Sequence, residues 1–197
     1  MELYIVRHGE TKWNSLGLLQ GNTDIELDEK GRELAGQLGT ELDYTHFDCI
    51  YSSPLIRAYE TACLIRGHRN IPIIRDDRIR EISFGTYEGK SAKELFENEN
   101  DPFHYFFTRP ELFQPAPGGE SFEDVCKRAG EFMTQVIEPL SKTYTRVMIT
   151  AHGAVNKALM HHVKQNAIKD YWDGGLQKNC GFIILSVEQN HYQIIKE

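Results

Sequence analysis

The chain has 197 residues, 40% of them hydrophobic and 26% charged, with a formal net charge of −7 at pH 7. That length is enough to bury a sizeable core in one domain, the acidic balance argues against non-specific nucleic-acid binding, and no apolar run approaches the roughly 18 residues of a membrane span. An anionic substrate would need a locally basic pocket, which the chain itself must supply.

Residues 3–6 (Leu-Tyr-Ile-Val) form a short apolar run that reads as a buried strand. No basic leader precedes it, so a cytoplasmic protein without a membrane partner is expected. The run ends in Arg7-His8-Gly9, and ligands of open α/β sheets bind just beyond the carboxyl ends of strands. Arg7 offers a fixed fork of donors suited to phosphate oxygens. His8 offers an imidazole with an unperturbed pKa of about 6.5, largely neutral and hence nucleophilic near pH 7. Gly9 has no Cβ and permits a sharp turn or a close approach to a ligand. Taken alone, the tripeptide reads first as a surface turn.

Residues 10–22 are polar and read as a loop with one helical turn. Gln20-Gly21-Asn22 could present backbone and amide groups to a phosphate or simply connect, and both readings stay open. Asp28 is placed to cap a helix from about 29 to 43, with Leu34, Ala35, Leu38 and Leu42 on one face. Its three glycines weaken it, so packing must hold it. A second strand at 49–51 runs into Ser52-Ser53-Pro54, where Ser53 is expected to cap the next helix and Pro54 to open it. Arg57 falls in that helix's first turn, near the crevice of Arg7. A cation there is usually solvated and opposes the helix dipole, an objection that a bound anion removes.

A strand at 71–74 lies near an edge or begins at Pro72. Residues 80–89 form a Gly-punctuated loop, and Ser91 starts a short helix to about 98. Residues 101–117 hold Phe103, Tyr105, Phe106, Phe107 and Phe113 among four prolines. They read as a lid or cap over the site, choosing the substrate, with packing against the body or a partner subunit as the alternative. Ser121 and Asp124 make a capping-box start to a helix whose apolar positions run from Phe122 to Leu140. A strand at 146–150 ends in Ala151-His152-Gly153 before a helix to about 163, which repeats the opening order of strand, His, Gly and helix. Residues 181–187 and 191–195 read as a terminal hairpin.

Cys49, Cys63, Cys126 and Cys180 show no metal spacing and read as free buried thiols. The adjacent His161 and His162 point to different helix faces, so no metal site is expected. Alternating strands and helices indicate a three-layer α/β/α fold, with a mostly parallel central sheet and an antiparallel strand near the C-terminus. One domain over 1–197 is expected, with 90–120 as a lid insertion. Arg7, His8, Arg57 and His152 all fall at or past carboxyl ends of strands and converge on one crevice, a compact cationic pocket for a phosphate dianion.

Four separated stretches, in order, resemble the histidine phosphatase (phosphoglycerate mutase-like) superfamily. They are Arg-His-Gly-Glu-Thr from Arg7, Ser-Ser-Pro-Leu-Ile-Arg-Ala from Ser52, Glu81 with Gly85 and Gly89, and Ala-His-Gly from Ala151. The resemblance implies a covalent phosphohistidine on His8, with Arg7, Arg57 and His152 neutralising the phosphate oxygens and Glu81 serving the leaving group. That last role implies a partly desolvated carboxyl. Asn14 is expected as an additional phosphate donor, and Gln20, Gly21 and Gly153 as substrate-binding positions. No metal or cofactor is implied. Cofactor-dependent mutases of the superfamily place Arg after the acidic Glu and carry an Arg pair in a longer insertion. Here Ile82 follows Glu81 and Arg109 stands alone, which favours a phosphatase similar to the broad-specificity and α-ribazole phosphatases. A small phosphorylated substrate is expected, and a homodimer is left open. The alternatives are a mutase and a non-catalytic phosphate-binding or interaction module; such modules usually lose the nucleophile or the acid, and both are kept here.

Overall fold

Alternation along the strands builds the layers. In the computed structural model, which describes residues 1–197, strand β1 (Glu2–Arg7) sends Leu3 and Ile5 into one apolar cluster and Tyr4 and Val6 into another on the opposite face. This is the period-2 geometry of a strand covered on both sides. β2 (Cys49–Ser52) splits Cys49 from Ile50 in the same way, and β4 (Arg146–Ala151) splits Val147 and Ile149 from Met148.

The six strands run in the order β3-β2-β4-β1-β5-β6, with β3 (Ile73–Arg75), β5 (Phe182–Glu188) and β6 (His191–Lys196) completing the sheet. β1, β2, β3 and β4 pair in parallel, β5 is antiparallel to β1, and β6 is antiparallel to β5. β5 alone therefore runs against the rest. The mostly parallel sheet with a reversed strand near the C-terminus matches expectation, and Pro72 precedes an edge strand as its missing N–H requires.

Eight α-helical segments lie along the connections between the strands. α1 (Lys12–Ser15) is the single turn expected after β1. α2 (Glu29–Glu41) starts at Asp28, whose carboxylate accepts the Gly31 N–H, and it pairs with α3 (Ile56–Arg66) over the smaller cluster. Short segments α4 (Ala92–Glu97) and α5 (Tyr105–Thr108) follow. Then come α6 (Phe122–Phe132), capped by Ser121 and Asp124, α7 (Glu138–Leu140) and α8 (Gly153–Lys164). α6 and α8 cover the larger cluster.

Three local expectations are corrected. α3 begins at Ile56, not at Pro54: the Ser53 hydroxyl meets His152 Nε2 at 2.7 Å and accepts the Leu55 N–H at 3.3 Å, and no side chain caps the helix. The helix read as continuous from Phe122 to Leu140 widens into a π-helical stretch over Met133–Ile137, just before Pro139, which lacks the N–H that an unbroken α-helix uses. Gly9 turns toward the protein rather than a ligand: a Cβ there would lie 2.5 Å from the Gly31 carbonyl oxygen, so α2 seats directly on the loop after β1.

Candidate active site

The parallel strands deliver the expected residues to one end of the sheet. His8, just past β1, is buried and donates its Nδ1–H to the Gly9 carbonyl at 2.6 Å. A carbonyl only accepts, so the proton sits on Nδ1 and the lone pair is left on Nε2. His152, just past β4, lies with its ring centroid 5.1 Å from that of His8. Its Nε2 meets Ser53 Oγ, while its Nδ1 is buried without a partner. Burial, reinforced by the positive charges of Arg57 and Arg7, holds the pKa of His8 well below its ordinary value. His152 is lowered by burial first, then by Arg57 and His8. Both imidazoles are neutral near pH 7.

Arg57 is the largest fully buried side chain, and desolvation lowers its pKa to about 10. Its guanidinium donates to the carbonyls of Gly21 (2.7 Å) and Thr23 (3.0 Å), leaving Nε unpaired. These carbonyls offset the unfavourable start-of-helix position, and they tie residues 21–23 to the site. Arg7 donates Nη1 to the Gln177 carbonyl at 2.5 Å, and its Nε is likewise buried and unpaired. Burial lowers its pKa, with Glu81 acting in the opposite sense.

Glu81 is 9% exposed, which meets the expectation of a partly desolvated carboxyl. Its oxygens accept N–H groups from Ile82 (2.9 Å), Ala154 (3.1 Å) and Val155 (3.0 Å), the last two in the first turn of α8. The carboxylate thus occupies the anion seat at that helix start. Gly153 has to be glycine here: a Cβ would lie 2.7 Å from Leu176 Cδ1 and 3.6 Å from Glu81 Oε2.

These residues open onto a cavity of about 300 Å³ lined by Arg7, His8 and Glu81, and also by Asn14, Gln20, Gly21 and Gly153. Asn14 spends its Oδ1 on the Thr11 N–H in a capping box, and Gln20 Oε1 takes the Thr11 hydroxyl at 2.9 Å. Arg57 and His152 stand behind this lining, both fully buried. No group of three or more His, Cys, Asp or Glu side chains gathers at metal-binding spacing.

The 101–117 segment divides. Phe103 and Phe106 are buried in the larger core, the packing alternative left open for this run, and Phe106 also borders the cavity. Phe107 is 41% exposed and lines the cavity with Trp172 and Leu176. Sequence reasoning misses several contributors. Asn179 Nδ2 donates to the His8 carbonyl at 2.9 Å. Arg128 Nη2 holds the Glu81 carbonyl at 3.0 Å while its Nη1 holds those of Arg78 and Arg80. The Gln177 side chain is fixed by Asn156, Ile5 and Gly181. The signal available for Arg128 is a cation on α6 eight positions after Glu120, which precedes the helix; the others leave none.

The model of the histidine phosphatase superfamily (branch 1) matches residues 3–196. The chain belongs to this superfamily. Phosphoserine phosphatase 1 of Hydrogenobacter thermophilus is 31% identical over 196 residues, covering 100% of this chain and 91% of that protein. A 2,3-bisphosphoglycerate-dependent phosphoglycerate mutase of Cytophaga hutchinsonii is 35% identical over 170 residues, covering 85% of this chain and 79% of the mutase. Among solved structures, Bacillus stearothermophilus YhfR matches with a TM-score of 0.89 and 36% identity over 100% of this chain and 96% of its own. The present superfamily member is a phosphatase.

Proposed function

We propose that it hydrolyses small phosphomonoesters through a phosphohistidine on His8. The observation that carries this reading is the Nδ1–H bond to the Gly9 carbonyl inside a buried basic site, which leaves Nε2 free to attack phosphorus. The Nε2–P bond forms as the P–O bond to the alcohol breaks. The unpaired Nε atoms of Arg7 and Arg57 and the unpaired Nδ1 of His152 take the phosphoryl oxygens, with Asn14 as an additional donor. Glu81 carries the proton that the leaving group needs. It passes that proton to the departing alkoxide, then removes one from the water that splits the phosphohistidine, giving inorganic phosphate.

Mutase chemistry on a bisphosphorylated acid needs a second anion seat. Arg7 and Glu81 are the charged side chains lining the cavity apart from the neutral imidazole of His8. Ile82 is fully buried in the core, and Arg109 is exposed and pairs with Glu111 at 3.2 Å. Hydrolysis therefore fits better than transfer. Incubation with a ³²P-labelled ester in EDTA, followed by an alkaline quench, should place the label on His8 and release phosphate. A His8→Ala protein with near-parent turnover would overturn the mechanism.

A further inference from the structure

Building on the phosphatase reading, we infer that the substrate's alcohol portion is uncharged and carries an apolar, ring-sized face. Outside the phosphate end, the cavity wall includes Leu18, Phe84, Phe106, Phe107, Trp172 and Leu176. The Trp172 indole N–H is already spent on the Phe106 carbonyl at 2.6 Å, so the ring offers its faces and edges rather than a donor. Phe107 stacks at a tilt on Trp172 with centroids 5.0 Å apart. Yet Phe107 and Leu176 remain 41% and 47% exposed, the two open apolar side chains of this wall. Exposed large apolar side chains gathered at the mouth of a basic cavity have water to lose when a ring covers them.

The polar remainder of the wall is neutral: Asn14, Gln20 and Asn179. An α-amino acid phosphate would bring an ammonium and a carboxylate into the cavity. The charged lining groups are Arg7 and Glu81, both committed to the phosphate and the leaving oxygen. Neither amino-acid charge finds a partner, and each would be desolvated against Phe107 and Trp172 at a cost. This separates the chain from a phosphoserine enzyme on grounds internal to its own cavity.

The test holds leaving-group chemistry constant by comparing three primary alkyl esters: phenethyl phosphate, ethyl phosphate and O-phospho-L-serine. Phenethyl phosphate is expected to exceed the other two in kcat/KM by on the order of 10- to 100-fold. Phe107→Ala should shrink that ratio, read as the quotient of kcat/KM on the two esters. Leu176→Arg, which adds a cation at the mouth, should raise phosphoserine relative to phenethyl phosphate. A parent that prefers phosphoserine, or a ratio that neither variant moves, would overturn this inference and leave the phosphatase reading intact. Phosphate release from none of the three would overturn both.

Discussion

The floor of the cavity is charged, buried and tightly hydrogen-bonded, whereas its outer wall is apolar and half open to solvent. On the floor, Arg7, His8, Arg57 and His152 hang from strand ends or helix starts, Glu81 comes from a loop pinned to the start of α8, and each has its orientation set by a backbone partner or a buried hydroxyl. On the outer wall, Phe107 comes from the single-turn helix α5 and Trp172 and Leu176 from the turn-rich stretch after α8, and Phe107 and Trp172 pack ring against ring. On the proposed reading the contrast divides the labour: the floor handles the phosphate group of any ester, and discrimination falls to the wall.

The largest expected break in this comparison is His8→Ala, which should cost on the order of 10⁴-fold or more in kcat for every ester, read by phosphate release and by loss of labelled phosphoenzyme. Wall variants should leave the phosphoenzyme in place. Glu81→Gln comes next. It should lose roughly 10² to 10⁴ in rate on alkyl phosphates and far less on p-nitrophenyl phosphate, whose leaving group needs little protonation; equal losses would assign Glu81 to structure.

Arg57→Lys keeps the charge but cannot hold the Gly21 and Thr23 carbonyls with one planar fork. Leaving buried acceptors short should cost about 1–3 kcal/mol in urea unfolding and raise KM for all esters alike. A variant with parent stability would show that the 21–23 loop does not depend on this clamp.

The paired imidazoles give the floor a pH signature. Both folded-state values are depressed below 6.5, so the unfolded chain binds protons that the folded chain refuses. That stability is fully present above about pH 6.5 and is lost as pH falls below it, by at most about 1.4 kcal/mol per pH unit for each histidine. Urea midpoints measured from pH 7.5 downward should fall, and His152→Gln should flatten the slope. The smallest effect belongs to the wall: Phe107→Ala should change stability by less than about 1 kcal/mol while altering substrate ranking. A large loss of stability would make Phe107 a core residue.

The floor is legible in the sequence because its chemistry needs uncommon residue types at strand ends, so Arg7-His8 and Ala151-His152-Gly153 stand out against apolar runs. The sheet is legible for the same reason of contrast, down to the edge position after Pro72. The wall is not. Phe103 and Phe107 are the same residue four positions apart, yet one is sealed in the core and the other borders the cavity, a difference decided by tertiary packing. Trp172 and Leu176 sit in a segment without periodicity to mark them. Gln177 serves Arg7 through a main-chain carbonyl, which any residue type could supply, so no side-chain pattern announces it. Ser53 misleads for the opposite reason, since a hydroxyl before a helix looks like a cap until a distant histidine claims it.

The placement of β1 sets a timetable for the protein's synthesis. It lies between β4 and β5, and the Glu2–Arg146 pair that joins it to β4 spans 144 residues. The Arg7–Gln177 contact spans 170. At roughly 5–20 residues per second, the strand that precedes His8 leaves the ribosome roughly 7–30 s before its first partner strand exists. During that interval an apolar strand with two open edges has nothing native to pair with, the situation in which nascent chains recruit chaperones or aggregate. A nascent chain stalled before residue 146 should therefore carry His8 and hydrolyse nothing.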